Sequence, residues 1–118
     1  MPSKAEAALT EAAKNHFGEG YLIEQVKFKD LVDELNYNSH RRWVFDYLIK
    51  GTNILIEVQG SGYGHGGSAK SHANDIVKYR SAVTAGYVVL LLNAKETLDR
   101  PDLAIEYIEE AVAAHEKN

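Results

Sequence analysis

Two carboxylates stand inside apolar runs with ten residues between them. Asp46 lies within residues 43–49 (WVFDYLI), and Glu57 within residues 52–60 (TNILIEVQG). Side chains alternate along a strand, so Ile54, Ile56 and Val58 share one face while Leu55, Glu57 and Gln59 share the other. A carboxylate in such a setting costs several kcal/mol unless it is paired. Two solutions fit. Protein cations satisfy both acids, Arg41 or Arg42 for Asp46 and Lys78 for Glu57, or the acids bind a metal. The pattern D-x10-E-x-Q on neighbouring strands presents hard oxygen ligands, which suit Mg2+ or Mn2+. Such an ion activates water and offsets charge on a phosphoryl group.

The elements that position these residues read from periodicity and capping. Ser3-x-x-Glu6 is a capping box ahead of a helix over residues 4–16. Residues 21–28 read as a strand, and residues 30–38 as a short helical turn before a loop. Residues 43–49 and 52–60, joined by Lys50-Gly51-Thr52-Asn53, read as a hairpin that brings Asp46 and Glu57 to one end of a sheet. Residues 61–67 (SGYGHGG) form a glycine-rich loop. A helix over 69–85 follows, with Ala73, Ile76, Val77, Val83 and Thr84 as its apolar side. Residues 87–92 (YVVLLL) read as a strand buried on both faces. Pro101 opens a last helix whose inner stripe is Ala104, Ile108, Ala111 and Val112. The long crossover after the hairpin predicts parallel pairing of the last strand. The expected fold class is α/β: helix, three strands, helix and strand around a mixed sheet, then a C-terminal helix.

The 118 residues form one domain, 1–118, of ordinary globular composition. No apolar run is long enough to span a bilayer, and the first residues lack the build of a secretion signal. With no cysteine, disulfides, thiolate zinc sites and cysteine nucleophiles are excluded. A cytoplasmic location is expected. The net charge is −4, yet residues 99–118 alone carry six acids against two bases, and residues 37–98 carry an excess of bases. Local charge governs phosphate binding, so the acidic total does not exclude nucleic acid.

Arg41-Arg42-Trp43-x-Phe45-Asp46-Tyr47, Ile56-Glu57-Val58-x-Gly60, Asp75-x-x-Lys78-Tyr79 and residues 85–90 (AGYVVL) follow one another on matching elements. In that order and spacing the chain resembles the PD-(D/E)XK nuclease superfamily. It is most similar to small phage and bacterial single-domain enzymes, including the very-short-patch-repair-like endonucleases. The resemblance spans roughly residues 3–92. It implies a restriction-endonuclease-like core, a phage-encoded or bacterial source, and metal-dependent DNA hydrolysis. It also implies Asp46 and Glu57 as the metal-binding acids. Gln59 stands where many members carry a lysine, and Lys78 is the candidate replacement for that charge; its alternative is a surface salt bridge with Asp75. Glu6 resembles a first-helix glutamate placed near the metal, and is equally explained as a cap.

His65 and His72 flank the glycine loop and are either members of the site or surface residues. Arg41, Arg42 and Lys70, with the two histidines and the loop amides, are candidates to hold the DNA backbone. Gly62-x-Gly64-x-x-Gly67 also has the spacing of a dinucleotide fingerprint, but two strands precede it and the acidic partner is missing. The expected function is a Mg2+-dependent endodeoxyribonuclease, with a homodimer as the expected means of cutting two strands. A nucleic-acid-binding module that has lost cleavage is the alternative, motivated by Gln59. A nucleotide-binding protein using the glycine loop is a third.

Overall fold

The computed structural model describes residues 3–32, 43–60 and 69–116, the side chains of 69–74 excepted. Ser3 caps helix α1 (Lys4–Phe17): its hydroxyl oxygen accepts from the Glu6 amide at 3.1 Å, and its hydroxyl lies 3.3 Å from Glu6 Oε1. Gly18, at φ +104°, ends the helix, a conformation open to glycine. Strand β1 (Leu22–Lys27) runs into a 3-10 turn (Phe28–Asp30), and β2 (Val44–Ile49) and β3 (Ile54–Gln59) form the expected hairpin. Helix α2 (Ala69–Thr84) leads to β4 (Val88–Asn93), a short helix α3 (Ala94–Asp99) and α4 (Pro101–Glu116).

The four strands form one mixed sheet in the order β1-β2-β3-β4. β1–β2 and β2–β3 are antiparallel, and β3–β4 is parallel in the register Ile54↔Val88 to Gln59↔Asn93. Helices cover both faces. Leu9 and Ala13 of α1 and Ala104, Ile105 and Ile108 of α4 pack on Tyr47, Ile49, Ile54, Ile56 and Leu92. On the other face Ala82, with Tyr79 and Ala85, packs against Phe45, Leu55, Leu48 and Val89. The expected alternation along β3 holds.

Four readings are corrected. β4 is not buried on both faces: it is the sheet's edge, and Leu91 is 50% exposed beside the polar end of β3. The apolar side read for α2 is not its inner side, since Ile76 and Val83 face solvent. Small Ala82 lets the helix approach the sheet, and Lys78 and Tyr79 turn towards it to meet polar partners on β3. Helix α3 is additional; Asn93 caps it by accepting from the Glu96 amide at 2.9 Å. The helical turn read over 30–38 starts earlier, as the 3-10 turn Phe28–Asp30 that ends the first strand at Lys27, and residues 33–42 lie outside the described residues.

One irregularity bears on the site. Phe45 and Tyr47 share parity, so a regular strand would put them on one face. Phe45 instead packs on the α2 side and Tyr47 on the α1 side. The β1–β2 register runs through Glu24↔Tyr47 and Val26↔Phe45 but skips Gln25 and Asp46. Gln25 has φ +53° and is the one non-glycine residue with positive φ among those described.

Candidate active site

The hairpin sets Asp46 beside the far end of β3. Its Oδ2 accepts from the Val58 amide at 2.8 Å, taking up the β3 donor just beyond the last β2–β3 register pair, Tyr47↔Ile56. Glu57 is 6% exposed. Its Oε1 accepts from Lys78 Nζ, which reaches across from α2 and also donates to the Val44 carbonyl at 2.7 Å. The Lys78 side chain is 14% exposed. Its ammonium lies 4.6 Å from the centre of the Phe45 ring, so the stem is packed while the charge meets oxygen and an aromatic face. Lys78 is thus held by Glu57 and Val44, and Asp75 is exposed.

The electrostatics follow from this placement. Burial pushes the Glu57 carboxyl up to about 7; the neighbouring Asp46 adds to the rise, and Lys78 opposes it. Glu6, in the first turn of α1, is raised by burial and then by the Asp46 charge, so a third acid faces the same cluster. Gln59 donates from Nε2 to the Tyr79 hydroxyl at 2.7 Å. Burial, reinforced by the charges of Glu57, Asp75 and Asp46, pushes Tyr79 up to about 12 against the opposing Gln59 bond, so it stays a phenol. Tyr47, also raised to about 12 chiefly by burial, donates to the Glu6 carbonyl at 2.8 Å and lies 2.9 Å from Thr10 Oγ1. It ties α1 to the strand that carries Asp46.

The fold therefore brings together Asp46, Glu57, Gln59, Lys78 and Glu6. Arg41, Arg42 and His65 lie outside the described residues, as does the glycine loop. Lys70 and His72 fall in the first turn of α2, where only the backbone is described. Tyr79 stood in the Asp75-x-x-Lys78-Tyr79 motif without a role of its own, and the Val44 and Val58 backbone groups were not foreseen. The adjacency of Tyr79 to Lys78 was the one available signal, because neighbouring helix positions flank the same edge of a sheet-facing side.

No group of three or more His, Asp or Glu side chains is gathered as for a metal among the described residues. Among the described residues two carboxylates, Asp46 and Glu57, meet one ammonium, Lys78. Carboxylate oxygens are the donor type that hard divalent cations take. Comparison with protein-family models, with curated proteins and with solved structures gave no match.

Proposed function

We propose that the chain is a Mg2+- or Mn2+-dependent endodeoxyribonuclease of the PD-(D/E)XK type that hydrolyses DNA phosphodiester bonds. The observation that supports this reading is the pair of carboxylates, buried Glu57 with Asp46 alongside, at one end of the sheet; the Lys78 ammonium on Glu57 is equally the pairing expected where a protein cation alone satisfies that acid. Asp46 and Glu57 would hold the ion. When bound, a divalent ion there lowers the pKa of water and offsets phosphoryl charge. Lys78 supplies an ammonium fixed from below by Phe45 and the Val44 carbonyl, placed to meet the negative charge that builds on the phosphoryl oxygens. Gln59, steadied by Tyr79, orients water or a phosphate oxygen by hydrogen bonding. Glu6 adds negative charge at the Asp46 side. Arg41, Arg42, Lys70, His65, His72 and the glycine loop are assigned to the DNA backbone. Two copies of the chain would cut opposite strands.

The alternative is a nucleic-acid-binding module of the same fold without cleavage. It is favoured by the internal satisfaction of the cluster, in which Lys78 is engaged by Glu57 and Gln59 by Tyr79. Nicking of supercoiled plasmid decides between them. Cleavage with Mg2+ or Mn2+ that stops with EDTA and is abolished in Asp46→Asn and Glu57→Gln supports the nuclease. DNA binding with no cleavage under either ion supports the module. Neither activity rejects both.

A further inference from the structure

A left-handed, non-glycine residue inside a strand is uncommon and is kept only where surrounding structure demands it. Gln25 is such a residue, at φ +53° in the middle of β1. Its side chain is exposed, so no packed side chain of its own explains the conformation. The consequence lies in the ladder. Before Gln25, Glu24 of β1 pairs with Tyr47 and bonds Thr10 of α1. After it, Val26 pairs with Phe45, which packs on the α2 side, as does Phe28. Both strands therefore turn over together at the Gln25–Asp46 position, and that pair is missing from the register. The turnover puts Phe45 under Lys78, Tyr47 under Glu6, and leaves Asp46 between the two faces with its carboxylate on the Val58 amide.

We propose that Gln25 is a positioning residue: its left-handed backbone turns the β1–β2 ladder over at Asp46 and so sets the Asp46 carboxylate against the Val58 amide, beside Glu57. Its bearing on catalysis rests on the nuclease reading; its bearing on Asp46 does not. A regular strand here would rotate Asp46 onto one face and return Phe45 and Tyr47 to a common side. Gly tolerates φ > 0 freely and Asn more readily than most residues, whereas a β-branched side chain resists it.

The test uses the full chain, free of metal and DNA, and reads the Val58 amide by NMR. Asp46→Ala defines the resonance and exchange rate of that amide without its carboxylate acceptor. Gln25→Val is expected to move the Val58 resonance towards the Asp46→Ala position and to speed its exchange by about tenfold or more. Gln25→Gly and Gln25→Asn are expected to keep the wild-type signature. If Gln25→Val does not fold, Gln25→Ala, which also disfavours positive φ, is read in the same way. A Val58 signature unchanged in Gln25→Val, or displaced equally in Gln25→Gly, overturns the proposal. Plasmid cleavage separates the two inferences. Under the nuclease reading Gln25→Val lowers kcat with little change in KM, and Gln25→Gly restores it. A wild type that cuts nothing, with the Val58 shifts as expected, sinks the nuclease alone. A wild type that cuts, with Gln25→Val cutting equally and Val58 unmoved, sinks the role of Gln25 alone.

Discussion

Lys78 and Glu57 are one electrostatic unit, and each makes a separate prediction. Lys78→Met keeps the packed stem and removes the ammonium. If the charge stabilises the phosphoryl transition state, turnover falls by about two orders of magnitude while DNA affinity changes little. Near-wild-type turnover in single-turnover assays would remove Lys78 from the mechanism. The same variant leaves a buried carboxylate without its cation, so it costs about 1–3 kcal/mol of stability at pH 8, and less at pH 6, where Glu57 takes up a proton. Glu57 also makes the wild type pH-sensitive. Its folded pKa, about 7, lies above the ordinary value of 4.5. Between those values the folded chain binds a proton that the unfolded chain does not, so stability falls as pH rises from 4.5 to 7. The slope is at most about 1.4 kcal/mol per pH unit. Urea unfolding at pH 5, 6 and 7 measures it, and Glu57→Gln should flatten the dependence. A slope that survives the substitution assigns it to another group.

Among the elements, α1 and α3 are held by few polar contacts, each open to deletion. Tyr47 fastens α1 to β2 through the Glu6 carbonyl and Thr10. Tyr47→Phe keeps the ring and removes the hydrogen bonds to the Glu6 carbonyl and the Thr10 hydroxyl, and should cost about 1–2 kcal/mol. Because Glu6 rides on that helix, the variant should also loosen the Asp46 side of the site and lower turnover modestly. Asn93 both closes β4 and caps α3. Asn93→Ala should cost about 1 kcal/mol, the usual scale for a lost cap, with cleavage little changed. Thermal unfolding checks both. A Tyr47→Phe chain as stable as wild type would mean that water replaces the phenol at the α1 junction.

Across the whole molecule the exposed acids of the last helix lie away from the candidate site. The acids of α4, Glu106, Glu109, Glu110 and Glu116, are exposed on the face that α1 and α4 cover, opposite α2. The cluster of Asp46, Glu57 and Lys78 lies between β2, β3 and α2. Under the nuclease reading the DNA meets that cluster rather than the acidic α4, and Arg41 and Lys70 are the residues assigned to its backbone. Phosphate contacts release counterions, so affinity for a short DNA duplex should fall steeply with salt, and Arg41→Ala and Lys70→Ala should each make that dependence shallower by about one charge. Slopes equal to wild type in both variants would move the DNA to another surface. Among the described residues no helix is long and apolar enough to cross a membrane.

Much of the architecture was written in local pattern. The capping box at Ser3, period-two alternation through 54–59, and Pro101 each mark an element whose bounds the fold reproduces closely, because such signals act within a few residues of chain. The nearness of Asp46 and Glu57 was equally legible, since a tight hairpin obliges its two strands to pair with each other. Asn93-x-x-Glu96 was a readable cap for α3, but the residues between the strand ending at Leu92 and the helix starting at Pro101 were assigned no element. Other features depended on distant contacts. Ile76 and Val83 are apolar yet exposed, while charged Lys78 points inward. The inner face of α2 is decided by the carboxylate waiting on β3 and by the small volume of Ala82, neither of which periodicity weighs. The turnover at Gln25 left no mark at all, because glutamine carries no preference for a left-handed backbone. It shows only in the tertiary structure, where Phe45 and Tyr47, two residues apart on the paired strand, pack on opposite faces of the sheet.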